Sequence, residues 1–194
     1  MKNKVIRIWL AGSVFLLANS CGTSPEPLYY RLSSLAPSAE PGRSQDSVFI
    51  RVGPITIPEE LDRSSIVTQI GTNRVDLAEY HRWAGNLQSA IGRVLGENLS
   101  ALLPGSRISL EQEVSLQPID VQITVNIREF GGRLGEAVKL SADWTVIRFK
   151  DKKSIRAKKS ILEEKTQSRD YASFVAAQSR LLARLSRSLA QEIE

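Results

Sequence analysis

The sequence predicts an α+β fold. We expect a two-layer sandwich in which a mixed, largely antiparallel sheet of five or six strands carries two amphipathic helices on one face. Three observations predict it. Apolar residues recur at helical spacing in two places, at Leu87, Ile91, Val94, Leu95 and Leu102 and again at Phe174, Leu181, Leu185 and Leu189. Between them, Val121, Ile123, Val125 and Ile127 alternate with polar residues, as do Val138, Leu140, Ala142, Trp144 and Val146, the pattern of half-buried strands. The resulting order is strands, helix, strand meander, helix, with no internal repeat. A sheet with one apolar face needs cover, and two helices with one apolar stripe each supply it.

The chain opens on Lys2, Lys4 and Arg7, followed by an apolar run of 11 residues from Ile8 to Ala18. That is too short to cross a bilayer core and the right length for a secretory signal. It ends in Leu17-Ala18-Asn19-Ser20-Cys21, small residues before the only cysteine of the chain. The spelling resembles the lipobox of bacterial lipoproteins, which implies that Cys21 is lipidated on sulfur and becomes the mature N-terminus. The competing reading is an ordinary signal peptide with a chance cysteine beyond it. Chemistry favours the lipobox, since a lone thiol in an oxidising compartment has no intramolecular partner and a thioether removes it. Gly22, rather than Asp, follows the cysteine. In lipoproteins that resembles the default sorting to the outer membrane, facing the periplasm.

We therefore divide the chain into a lipoprotein signal peptide over 1–20, a tether over 21–28 and a single domain over 29–194. The remaining 174 residues suit one domain with a proper core. Of the 26 Lys and Arg the signal holds three and no acid, leaving 23 positive against 21 negative side chains, a net +2. That balance does not call for nucleic acid. No later apolar run approaches the length of a membrane span.

Taken in order, Tyr29 to Leu32 reads as a short first strand, and Ser33 to Ser47 as a Ser/Pro/Gly-rich loop. Val48 to Ile57 reads as a strand with near-continuous apolar residues, buried on both faces, which Gly53-Pro54 must bulge or bend. Ser65–Gln69 and Arg74–Leu77 flank Gly71-Thr72-Asn73 as a hairpin. A helix follows from about Ala84 to Leu102, with Asn98 the one polar residue in its stripe, and Pro104-Gly105 stops it. The alternating stretch from Val121 turns at Gly131-Gly132 into its antiparallel partner. Lys150 to Lys153 makes the next turn, into a more polar strand over Ile155–Glu164. Asp170 suits the start of the last helix as cap and by charge.

Several segments carry a family resemblance: Val52-Gly53-Pro54-Ile55-Thr56-Ile57-Pro58-Glu59-Glu60-Leu61-Asp62-Arg63, Ile66-Val67-Thr68, Leu77-Ala78-Glu79-Tyr80-His81-Arg82-Trp83-Ala84 and Val94-Leu95-Gly96-Glu97-Asn98-Leu99-Ser100. With the Tyr29-Tyr30-Arg31-Leu32 opening, they resemble the auxiliary lipoproteins of ABC-type transport systems, and within them the paraquat-inducible branch. The resemblance implies an outer-membrane lipoprotein that docks a mammalian-cell-entry type periplasmic protein in a lipid-transport system. It further implies a homo-oligomer, and phospholipid as a possible ligand.

The candidate chemistry is sparse. His81 is the only histidine, and a Ser–His–Asp site would need it beside a nucleophile, yet no Gly-x-Ser-x-Gly elbow occurs. We place it in the strand-to-helix turn, with Trp83 packed on the core. One histidine and one lipidated cysteine do not make a usual zinc site, and no phosphate-binding Gly-x-x-x-x-Gly-Lys loop exists. We therefore expect no catalytic, cofactor or metal residues, with Cys21 the one functional site. Asp62-Arg63 reads as a local ion pair. Lys150, Lys152, Lys153, Arg156, Lys158 and Lys159 read as a solvated hairpin tip rather than a docking surface for anionic lipid. The alternative to a transport component is a free-standing envelope lipoprotein that binds or hydrolyses a cell-envelope ligand.

Overall fold

The computed structural model describes residues 25–35, 48–111, 113, 118–149 and 154–193 of the 194-residue chain. Among these are eight strands: β1 (Leu28–Tyr30), β2 (Phe49–Thr56), β3 (Ser65–Gln69), β4 (Val75–Trp83), β5 (Arg107–Leu110), β6 (Val121–Gly132), β7 (Ala137–Arg148) and β8 (Ser154–Lys165). Two α-helices join them, α1 (Leu87–Leu102) and α2 (Tyr171–Gln191), together with a short 3-10 turn at Glu59–Leu61. The expected α+β sandwich is present, with its strands divided between two mixed sheets. The larger has the order β5-β2-β6-β7-β8 and the smaller the order β1-β4-β3.

In the larger sheet β2 runs parallel to both β5 and β6, whereas β6, β7 and β8 form the antiparallel meander. The alternation read from the sequence is realised in register: Ile123 faces Val146, Val125 faces Trp144 and Ile127 faces Ala142. These side chains are buried on one face. Both helices cover that face, α1 over β2 and β5 and α2 over β7 and β8, and they touch each other. Ile91, Val94, Leu95, Leu99, Phe174, Leu181 and Leu185 are fully buried beneath them. Each such aliphatic or aromatic side chain contributes about 1.5–3 kcal/mol by leaving water.

β2 departs from the expectation. It is not buried on both faces, because Pro54 and Thr56 are exposed and Arg51 is half-buried, alternating with buried Ile50, Val52 and Ile55. The apolar run misleads because Arg51 and Thr56 belong to an uncovered outer sheet face. Gly53-Pro54 does bend the strand: the register of β2 against β6 shifts between Val52 and Ile55. Gly53 has φ +130°, which a side chain rarely adopts, and a Cβ there would lie 2.6 Å from Glu111 Cβ.

Boundaries elsewhere differ by a few residues. β4 continues through Glu79–Trp83, so this segment is strand rather than turn. β6 and β7 pair up to Gly132 and Val138, so the chain turns after the Gly pair. The turn assigned to Lys150–Lys153 lies outside the described residues. Strand β5 had no expectation at all. It is only four residues long and is held by parallel pairing to β2, a long-range contact with no local signature.

Close packing of α1 on β2 gives one prediction. A Cβ added at Gly92 would meet Ile55 Cγ1 at 3.6 Å, an ordinary contact. Gly92→Ala is expected to stabilise the fold by up to about 1 kcal/mol, the helix-propensity gain of alanine over glycine. Thermal unfolding checks it, and a lowered midpoint would show that the helix sits too close to the sheet for a methyl group. Gly96 is the tighter position, with Leu110 Cδ2 at 3.1 Å from such an atom.

Candidate functional site

His81 lies in β4, not in a turn, and is built into an aromatic joint. Its Nδ1 is hydrogen-bonded to Tyr30 Oη at 2.7 Å. Its ring stacks on Tyr171, with centroids 3.9 Å apart and planes 18° from parallel. Burial pushes the Tyr171 phenol above its usual pKa, and the charge of Asp76 adds to this. Burial also raises Tyr30, with Asp170 contributing. Both side chains are therefore neutral phenols near pH 7. The trio ties β1 and β4 to the first residue of α2. That residue follows the cap, Asp170, whose Oδ1 accepts from the Ser173 N–H at 2.7 Å. The hydroxyl of Ser168 first, and this backbone donor second, hold the Asp170 carboxyl below the usual carboxylate range. The surroundings of His81 thus join two sheet strands to a helix end. Trp83 is buried in the core as expected.

Asp62 takes a partner other than Arg63. Its Oδ1 accepts from Asn86 Nδ2 at 3.0 Å, and Asn86 Oδ1 in turn accepts from the Ser89 N–H at 2.9 Å, capping α1. Asp62 thereby orients the cap. Asn86→Ala is expected to cost about 1 kcal/mol. Denaturant unfolding measures this, and no change would mean that solvent satisfies the first turn equally well.

The lysine-rich strand does not act as one patch. Lys158 pairs with Glu192 at the end of α2, and it and Lys159 both border a basin on the outer face of the larger sheet. Lys150, Lys152 and Lys153 lie outside the described residues, as does Cys21. The basin is shallow and open, with a volume of about 600 Å³, and is lined by Thr56, Thr124, Asn126, Asp143, Thr145 and Lys159 among others. Three of its polar groups are engaged. Thr56 and Asn126 are hydrogen-bonded at 2.9 Å, and Arg128 Nε donates to Asp143 at 2.9 Å. A second recess of about 530 Å³ lies beside the start of α1 between Tyr30, Arg31, Trp83 and Arg93. Arg93 is engaged there by Glu97 at 2.8 Å and by the Leu32 carbonyl at 3.0 Å. Among the described residues no group of three or more His, Cys, Asp or Glu could hold a metal ion, and no helix is long and apolar enough to cross a membrane.

Two features escaped the sequence reading. Asn98 is fully buried. Its Oδ1 accepts from the Leu35 N–H at 2.7 Å, and its Nδ2 donates to Ser186 Oγ at 3.2 Å. It therefore joins α1, α2 and the segment after β1; its polar character inside an apolar stripe was the only signal. The other feature is the β3–β4 hairpin, where Ile70, Val75 and Leu77 are exposed. Their place on a hairpin was legible, but what lies beside them was not.

Comparison with known proteins bears on these surfaces. The family model described as ABC-type transport auxiliary lipoprotein component matches residues 30–190. The intermembrane transport lipoprotein PqiC of Escherichia coli K12 is 26% identical over 141 residues, covering 72% of this chain and 70% of that protein. PqiC of Shigella flexneri matches to the same extent. A crystal structure of an uncharacterized protein superposes with a TM-score of 0.73 at 23% identity, covering 88% of this chain and 100% of the other. One from Xanthomonas campestris gives 0.64 at 13% identity, covering 84% and 92%. At such identities these two structures establish the fold. The family match spans the strands, both helices and the aromatic joint alike, and the chain belongs to the ABC-type transport auxiliary lipoprotein family.

Proposed function

We propose that this protein is a non-enzymatic, periplasm-facing component of an intermembrane lipid-transport system. In this reading residues 1–20 are removed, Cys21 carries the lipid, and residues 29–194 form one domain held at the outer membrane by the tether over 21–28. The observation that carries it is the family match over 30–190, supported by the relatives named intermembrane transport lipoproteins. The engagement of His81 by two tyrosines agrees with a structural role for the one residue that suggested catalysis.

The partner would be a mammalian-cell-entry type protein of the same system. Purification of the full-length protein from detergent-solubilised envelopes, followed by mass spectrometry, is expected to recover such a protein. Recovery of the lipoprotein alone, from cells that express the partner, would favour the free-standing envelope lipoprotein instead. The protein purified apart from that partner is expected to be a homo-oligomer by light scattering, since a ring-forming partner favours a symmetric collar. The outer face of β2 gives no motive for self-association, because it is not apolar. Open strand edges do. The β8 edge carries Lys159, Glu163 and Lys165, charges that keep an edge single, which leaves β5 in the larger sheet and β1 and β3 in the smaller one as open edges. A monomer in that preparation would mean that any collar forms only on the partner.

A further inference from the structure

We propose that the β3–β4 hairpin rests on the lipid surface to which Cys21 is joined, so that the protein touches the membrane through a protein element as well as its acyl chains. The inference builds on the proposed lipidation of Cys21 and adds an orientation to it. Ile70 is 47% exposed, Val75 49% and Leu77 47%, and all three lie on or beside one hairpin, closed by the Ile70 N–H to Arg74 carbonyl bond at 3.0 Å. Val75 and Leu77 are two residues apart on β4 and share a face, while Asp76 points to the other. Val67 and Gln69 stand opposite them on β3. An apolar pair beside a cationic Arg74 suits a boundary between acyl chains and anionic headgroups.

The place where the chain enters the fold selects lipid as the occupant. β1 runs parallel to β4 with Leu28 opposite His81, so the chain comes into the smaller sheet from the end at which β4 begins, the hairpin end. From His81 back to Val75 is six residues of β4, no more than about 20 Å at strand rise. From Cys21 to Leu28 is seven residues, at most about 25 Å when extended. A lipid on Cys21 is therefore held within about one hairpin length of the start of β1. Leu28 and Tyr29, at that start, are 56% and 63% exposed, one on each face of β1. Ile161 is 72% exposed on β8, at the far edge of the other sheet, and serves as the internal control.

The test uses the full-length protein, purified after processing, with acylation of Cys21 established by intact mass. Once acylated, Cys21 offers no thiol, so spin labels can be placed singly through Val75→Cys, Leu77→Cys and Ile161→Cys, all at surface positions. In vesicles of phosphatidylethanolamine and phosphatidylglycerol, labels at 75 and 77 are expected to lose collisions with a water-soluble nickel chelate several-fold and to gain collisions with oxygen. The label at 161 is expected to stay unchanged. Equal nickel accessibility at 77 and 161 in acylated protein would overturn the inference while leaving the lipid anchor standing. Protection at 77 that is already complete without vesicles would overturn it in favour of a second copy covering the hairpin. An unacylated Cys21 would overturn both the anchor and the contact built on it.

Discussion

Cys21→Ser is expected to remove the protein from the outer-membrane fraction, leaving an unprocessed precursor or a soluble product. Serine cannot form the thioether, and no described helix can replace the anchor by crossing the bilayer. Each buried methylene of an acyl chain contributes about 0.8 kcal/mol, and two chains convert marginal binding into stable anchoring. The hairpin patch is too small to compensate. We expect the outer-membrane-bound share to fall at least about 100-fold. Fractionation beside outer-membrane and periplasmic markers measures it. A variant that fractionates with the outer membrane as fully as the parent would place the anchor elsewhere.

The second large effect is structural. Asn98→Ala is expected to cost about 2–3 kcal/mol of stability. It leaves the Leu35 N–H without the acceptor it has at 2.7 Å and takes a donor from Ser186. An unsatisfied buried polar group costs roughly 1–3 kcal/mol, and the space vacated in a fully buried site adds to this. Ser186→Ala should cost less, because the Leu182 carbonyl to which its hydroxyl donates at 2.9 Å keeps its place in the helix ladder and Asn98 keeps its bond to Leu35. In the doubly substituted protein the two effects should not add, since both remove the same α1–α2 link. Urea unfolding measures all three. A loss below about 1 kcal/mol for Asn98→Ala would mean that solvent reaches the site.

Local patterns were enough for the elements whose partners are near in sequence. The alternation of Val121–Ile127 and Val138–Val146 gave β6 and β7 because an antiparallel pair buries one face and repeats every second residue. Asp170 was legible as a cap because its acceptor meets a donor three residues on. The segments between Val52 and Ser100 were enough to name the family, which the match over 30–190 bears out.

Only the tertiary structure decided features set by residues far apart in the chain. The parallel pairing of β2 with β5 and β6, the separation of β1, β3 and β4 into a second sheet, and the polar outer face of β2 depend on which strands become neighbours. Asn98 could be seen as an anomaly in an apolar stripe, but not explained, because its partners lie 63 and 88 residues away. The same holds for His81, whose aromatic neighbours come from β1 and α2. Val75 and Leu77 were legible as part of a hairpin strand, but not their exposure. They stay exposed near the turn of the hairpin, although Val67 opposite Leu77 is buried. The physical reason is common to all: periodicity records which face of an element is apolar, while the partner that covers that face, or leaves it open, is chosen by the packing of the whole chain.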